Sequence, residues 1–174
     1  MATRRNIRTA FYDGLEVASN GLVDPDNIGE EEPNEEEDYP AIIHSDDHRK
    51  VRMNEGSGAP SDLVRDSNGD VIQEIYTNVH EGSFGVMIQG MDENLREDVY
   101  EAVHSYFEKY EHPAWDETDI HTDVKWVKVL DSNSEDNTDG SPTVRGDNLI
   151  IRIGYTKEHV KDVESIDSVQ RTIS

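Results

Sequence analysis

The fold of this chain is decided by residues 74–110, which read EIYTNVHEGSFGVMIQGMDENLREDVYEAVHSYFEKY. In the first part of this stretch, Phe84, Val86 and Ile88 alternate with other residues, which is the period of a strand with one buried face. In the second part, Asp92 is a typical helix N-cap residue. Apolar residues then recur every three or four positions, which predicts a long helix that covers a sheet: Leu95, Val99, Ala102, Val103, Tyr106, Phe107 and Tyr110.

The same two periods predict an N-terminal helix and further strands on either side of this stretch. The helix has one apolar face between Ile7 and Ala18, and it ends at Asn20-Gly21. The element order predicts an α+β fold, in which an antiparallel sheet carries the N-terminal helix and the second long helix, with long acidic loops. We expect residues 71–79 and 83–89 to be antiparallel neighbours among the predicted strands: 41–43, 71–79, 83–89, 124–130 and 148–155.

The length of 174 residues suits one domain. We assign residues 1–157 to a single α+β domain and residues 158–174 to a C-terminal extension, which has no clear period and is a candidate for ordering by partner subunits. Residues 24–38 are too charged for packed structure. Residues 54–70 form a long excursion that ends in Asn68-Gly69, a strong hairpin-turn signal.

Acidic residues dominate the composition, with 39 Asp and Glu against 16 Lys and Arg and a net charge of -23. Their repulsion destabilises a compact state unless salt screens it, and the Debye length falls from about 10 Å at 0.1 M to about 3 Å at 1 M. We therefore expect a protein made in a high-salt cytoplasm. The alternatives, an acidic tail or a nucleic-acid mimic, fit less well because the acids run from Asp13 to Asp167. The low apolar share of 33% favours long loops or burial between subunits.

Several function classes lack their sequence signals. Cysteine is absent, which excludes thiol catalysis, disulfides and thiolate metal sites. No Gly-rich phosphate loop precedes a helix, and no Gly-x-Ser-x-Gly elbow occurs. No apolar run approaches the roughly 20 residues of a membrane span, and the first residues lack the apolar stretch of a secretory signal. We expect a soluble chain, no cofactor and no membrane partner.

Two motifs are candidates for metal ligands, with a simpler alternative for each. Residues 131–136 begin like a calcium loop, but glycine is missing at the sixth position, and the twelfth position, where an acidic ligand is required, is Pro142. A second frame that starts at Glu135 has the glycine but places Gly146 at the twelfth position, so the acidic ligand is missing again. A solvated acidic loop is the alternative. His44 and His48 would share one face of a helix, but the preceding residues predict a strand, so histidines of a surface loop are the alternative there.

A third motif and a basic cluster complete the candidates. Asp123-Val124-Lys125 resembles the acid-x-lysine end of some metal-dependent nucleases, and the alternative is an edge-strand charge pattern that limits aggregation. Arg4, Arg5 and Arg8 form a basic cluster near the start of the sequence. It is either a docking arm for an acidic partner or phosphate backbone, or the solvated start of a helix.

The element order and several segments resemble tail terminator (tail completion) proteins of long-tailed viruses, and more narrowly those of haloarchaeal tailed viruses. The resemblance covers most of the chain up to about Tyr155. It departs from the simpler family members in residues 54–70 and after Tyr155. The segments that carry it are RTAFYDGLEVA, YPAIIH, residues 74–110 and DNLIIRIGY, together with the acidic loop.

This resemblance implies a virion structural protein that is not an enzyme. It implies a homo-oligomer, a hexameric ring that caps the tail tube protein and joins it to the neck stopper or adaptor proteins. Viral DNA would pass through the lumen without sequence-specific binding, since an acidic lumen repels phosphates. Another neck protein, an adaptor or stopper, is the nearest alternative. A metal-dependent nuclease and a monomeric halophilic binding domain are further ones.

No contact residue transfers from the family one by one, so the interface candidates are inferred from this chain. The basic cluster is a candidate for contacts between subunits or with the tube. A second candidate, for contact with a neighbouring subunit, is the predicted loop made of Ala59, Pro60, Ser61, Asp62, Leu63, Val64 and Arg65.

Overall fold

The computed structural model describes residues 2–32, 39–50, 59–132 and 145–163. Most of the candidate calcium loop, parts of the acidic loop and of the excursion 54–70, and residues 164–174 of the extension lie outside these ranges. The elements in chain order are α1 (Arg4–Ala18), β1 (Ile28–Gly29), β2 (Ala41–Lys50), β3 (Asp62–Arg65), β4 (Val71–Gly90), α2 (Glu93–Glu108), β5 (Val124–Ser132) and β6 (Arg145–Asp162). A 3-10 turn at Lys109–Glu111 continues α2, which makes a second helix of 19 residues.

Six strands form one sheet in the order β1-β2-β4-β6-β5, and β3 pairs with β4 beyond the end of β2. The pairs among the described strands are antiparallel, except that the two-residue β1 runs parallel to β2. The prediction of an α+β fold with two helices is confirmed, with a mixed sheet rather than a purely antiparallel one.

The prediction that residues 71–79 and 83–89 are separate neighbouring strands is wrong. They belong to the single strand β4, which pairs with β6 without interruption from Gln73 to Gly90. No turn separates them, because residues 80–82 stay extended. Glycine at position 82 allows close packing of neighbouring side chains and does not form a turn. A Cβ at Gly82 would lie 2.9 Å from the Phe84 ring and 3.0 Å from the His48 ring.

The helices and the turns near them form as their local signals predict. Asp92 caps α2 by accepting a hydrogen bond from the Leu95 N–H. Gly21 and Gly69 have positive φ angles of 80° and 90°, which suit glycine after a helix and in the hairpin between β3 and β4. Local sequence was sufficient here because each feature depends on residues only a few positions apart.

The core lies between one face of the sheet and the two helices. Phe11 of α1 stacks between Phe84 of β4 and Phe107 of α2, with ring centroids 4.1 Å and 5.4 Å away. A Cβ at Gly14 would lie 2.9 Å from the Phe107 ring, so α1 and α2 approach closely at this glycine. The same face of the sheet contributes further buried side chains: Ile42, Val86, Ile88, Leu149, Ile151, Ile153 and Tyr155.

The long strands continue past this core as an extension that we call the β-arm, made of β3, residues 71–80 of β4 and residues 156–162 of β6. β6 reaches Asp162, opposite Gln73, so its pairing crosses the boundary drawn at residues 157 and 158. None of the β-arm side chains is buried, whereas burial begins at Glu81 on β4 and ends at Tyr155 on β6. The β-arm is therefore held by backbone pairing and not by the core.

Candidate functional site

Helix α1 carries the basic cluster, and its N-cap and its buried face determine where that cluster lies. The Thr3 hydroxyl oxygen accepts a hydrogen bond from the Asn6 N–H at 3.1 Å, so the helix begins at Arg4. Phe11 is fully buried and holds α1 against the sheet. Residues four apart lie on the same side of a helix, so Arg4 and Arg8 project from one flank.

A cleft of about 700 Å³ lies along this flank, between α1 and the paired strands β1 and β2. We call it the arginine cleft. Its volume is in the range of sites that bind small molecules or single peptide segments. The residues that line it are Arg4, Arg5, Arg8, Thr9, Tyr12, Gly29, Glu30 and His44. The structure thus brings together all three predicted basic residues.

Two carboxylates neutralise part of the arginine cleft. Arg4 donates hydrogen bonds from Nε and Nη2 to Asp46 Oδ2, at 3.3 Å and 3.2 Å. Arg8 lies 4.0 Å from Asp46 Oδ1 through Nε, and its Nη2 contacts Glu30 Oε1. Arg5 makes no hydrogen bond or ion pair with any other residue that the structure describes. Among the residues that the structure describes, three guanidinium groups therefore face two carboxylates, which leaves one positive charge over.

His44 lines the arginine cleft from the sheet side and is only 5% exposed. The rings of Phe11 and Tyr12 contact it edge-on, with centroids 6.0 Å and 5.8 Å away. Burial lowers the pKa of His44, and the positive charge of Arg8 lowers it further. No hydrogen bond joins its ring to the described residues. The neutral imidazole can therefore donate a hydrogen bond to a group that enters the cleft.

A second histidine of β2 lies deeper, beside the same carboxylate. His48 Nδ1 is hydrogen-bonded to the Tyr155 hydroxyl at 2.9 Å. His48 Nε2 lies 2.9 Å from Asp46 Oδ2. Burial lowers the pKa of His48. Because Tyr155 is completely buried, a substrate cannot reach this network, which ties β2 to β6.

The expectation that His44 and His48 are histidines of a surface loop is wrong. Strand β2 is longer than predicted, and strand alternation places both side chains, with Asp46 between them, on the face that α1 covers. Within the described ranges, no group of three or more His, Cys, Asp or Glu side chains could hold a metal ion.

The nuclease-like tripeptide lies at the start of β5. Val124 is buried in the core, and Lys125 is exposed. The Asp123 carboxylate lies 3.8 Å from His121 Nδ1, and its backbone oxygen accepts a hydrogen bond from the Thr156 N–H at 2.9 Å. Asp123 therefore holds the edge of the sheet beside β6, and the structure shows no second carboxylate with which it would share a metal among the described residues.

The second group of interface candidates lies on the β-arm and does not line the arginine cleft. Residues 59–61 lead into β3, which comprises Asp62–Arg65 and pairs with β4, so the predicted loop is half strand. Ser61 fixes this entry, because its N–H and its hydroxyl both donate to the Ile75 carbonyl oxygen, at 2.7 Å and 2.8 Å. The two candidate groups are separate surfaces.

Sequence reasoning missed the other residues that complete the arginine cleft. Tyr12 could have been found from the spacing of Arg4, Arg8 and Tyr12, each four residues apart. His44 could have been found only if β2 had been predicted at its full length. Glu30 had no signal, because its place opposite α1 depends on the pairing of β1 with β2.

No protein-family model matches this chain, and no curated protein was found to be similar to it. No helix in the described part of the chain is long and apolar enough to cross a membrane. A functional interpretation must therefore be built from the surfaces themselves.

Proposed function

We propose that this chain is a virion structural protein that assembles as a hexameric ring, caps a viral tail tube and joins it to the neck. The segments that resemble tail terminator proteins support the place in the virion. The β-arm supports the assembly, and it is the observation that carries the proposal. No cofactor and no catalytic residue is needed, because the role consists of matching one ring face to the tube and the other to the neck.

The length of β4 supports a role of the β-arm in contacts with a neighbouring subunit. A compact domain of this size has a radius of gyration of about 16 Å, or a diameter of about 40 Å. Strand β4 has 20 residues, which at about 3.3 Å per residue extend over about 65 Å. The strand is longer than the domain is wide. Half of it therefore lies outside the core, where a single copy buries none of its side chains.

The β-arm exposes large apolar side chains, which favour contact with another protein over contact with water alone. Leu63, Ile72 and Val160 are 39%, 41% and 54% exposed, and they are three of the seven large apolar side chains found exposed in the described ranges. Leu63 is opposite Glu74 and Val160 is opposite Ile75, so these two apolar side chains lie on opposite faces of the β-arm, and each face offers apolar area to a neighbouring subunit.

The net charge of -23 is compatible with this function under high salt. Acidic subunits repel one another at low ionic strength, and screening allows them to meet. A lumen lined by carboxylates repels the phosphates of DNA, so DNA moves through the ring and does not adhere to it.

The test is to purify the full chain in molar KCl, to measure its mass by light scattering and to image it by electron microscopy. We expect a ring with six times the 19.7 kDa mass of one chain. Incubation with purified tail tubes should place the ring at one end of the tube. A chain that stays monomeric both alone and with tubes would refute the proposal.

The same preparation separates the alternatives. A ring that binds the neck but never a bare tube would be a stopper or adaptor. A chain that cleaves DNA with a divalent ion, and loses this activity on Asp123→Ala, would be a nuclease.

A further inference from the structure

We propose that the arginine cleft of one copy binds an acidic stripe on helix α2 of the next copy. This inference rests on the proposed ring and names the surfaces that would join its subunits. The cleft is a built site and not only the start of a helix. It has a defined volume, a guanidinium on Arg5 without a partner among the described residues, and His44, which is 95% buried in the cleft wall without a hydrogen bond.

The ligand of such a cleft is an oxyanion. Guanidinium groups bind carboxylates through paired N–H donors, and a neutral imidazole adds a third donor from the sheet side. Asp46 and Glu30 already occupy Arg4 and Arg8 from the protein side. Within the described ranges, Arg5 and His44 remain for a further carboxylate.

A matching surface exists on the same chain. Glu93, Glu97 and Glu101 follow one another at four-residue intervals along α2, and all three are exposed. Glutamates four apart on a helix repel each other. None of the three forms an ion pair with a described residue. We call these residues the acidic stripe, and a cation from outside the subunit would relieve its repulsion.

Successive glutamates of the acidic stripe are about 6 Å apart along α2, so this helix presents three neighbouring carboxylates to donors such as Arg5 and His44. A second copy of this chain is therefore a better occupant than a free anion, because one helix can offer several carboxylates in register. The contact joins two different patches, which is the heterologous kind that closes into rings.

The experiment uses charge reversal on each surface of the full chain in molar KCl. One variant carries Arg5→Glu, and the other carries Glu97→Arg and Glu101→Arg. Each variant alone opposes like charges at every contact, and we expect its association to weaken by about tenfold or more. In an equimolar mixture, every contact between unlike variants pairs opposite charges. The mixture should then regain the mass of the wild-type assembly by light scattering.

The control is Lys128→Glu, which reverses an exposed lysine of β5 that lies outside the arginine cleft, the acidic stripe and the β-arm. It should leave the cleft-to-stripe contact intact. Circular dichroism verifies that each variant is folded, and recovery in the mixture verifies it independently.

The outcomes separate this inference from the proposed function. A wild-type ring that survives either reversal, or two folded variants that fail to assemble together, would overturn the inference and leave the ring proposal standing. A wild-type chain that never assembles would overturn both. Saturation of the cleft by free citrate in a monomeric chain, without any effect of the Glu97→Arg and Glu101→Arg pair, would assign the site to a small oxyanion instead.

Discussion

Replacing Phe11 with alanine should remove the contact that holds α1 and α2 on the sheet. The Phe11 ring is fully buried between Phe84 and Phe107, with centroid distances of 4.1 Å and 5.4 Å. Deleting a buried phenylalanine ring costs about 3–5 kcal/mol, because burial and ring contacts are lost and a cavity remains. We expect about 4 kcal/mol, since neighbours on three elements cannot all collapse into the gap. A domain is stable by only about 5–15 kcal/mol, so this loss is large.

The assay is urea unfolding in molar KCl, followed by far-ultraviolet circular dichroism. With a slope of about 2 kcal/mol per molar urea, the midpoint should fall by about 2 M while the slope stays constant. All proteins are compared at one concentration, because assembly itself adds stability. Val17→Ala is the matched control, since Val17 lies on the same helix but is 63% exposed, and it should change stability by less than about 0.5 kcal/mol.

The reasoning would be refuted by a Phe11→Ala midpoint within about 0.5 M of the wild type at an unchanged slope. Such a result would mean that the ring does not join α1, α2 and β4 as described. An equal loss in Val17→Ala would show that α1 is sensitive to any truncation and that the buried ring is not special.

Three further predictions follow from the same contacts. Acid should destabilise the fold, because burial lowers the folded-state pKa of His44 and His48. Their contribution to stability is complete above the unfolded pKa of about 6.5, and it is lost as the pH falls from there towards the lower folded values. Replacing both with glutamine should therefore make the urea midpoint depend less on pH between pH 8 and pH 5. Gly82→Ala should lower stability by about 1–3 kcal/mol, because its Cβ meets the Phe84 ring at 2.9 Å, whereas Gly29→Ala meets nothing within 4 Å and should be neutral in thermal melts. Dilution from molar to millimolar KCl should dissociate or unfold the assembly, since the net charge is -23, and an unchanged mass and melting temperature would show that screening is not required.

The parts of the fold that the sequence predicted depend on near neighbours. Asp92 and the apolar residues that follow it predicted α2 because a helix is made of contacts three and four residues apart. Asn68-Gly69 predicted the hairpin for the same reason. The alternation of Phe84, Val86 and Ile88 predicted which face of β4 is buried. These signals place the α+β class and both helices before any tertiary contact is known.

The parts that the sequence did not predict depend on distant partners. Residues 71–79 and 83–89 carry no local sign that they form one strand, and the long pairing with β6 decides it. His44 and His48 belong to a strand because residues 80–89 of β4 lie beside them. The polar, charged pattern of residues 46–50 resembles a loop until that partner is present.

The candidate site divides in the same way. The sequence by itself determined that three arginines lie within five residues at the start of a helix, in a chain whose other surfaces are acidic, and that the fold is α+β. Only the tertiary structure decided that these arginines line a cleft with His44 in its wall, that Arg5 pairs with none of the described residues there, and that the β-arm extends past the core. Composition and helical period are properties of neighbours in the chain, whereas a cleft and a projecting strand exist only where segments far apart in sequence meet.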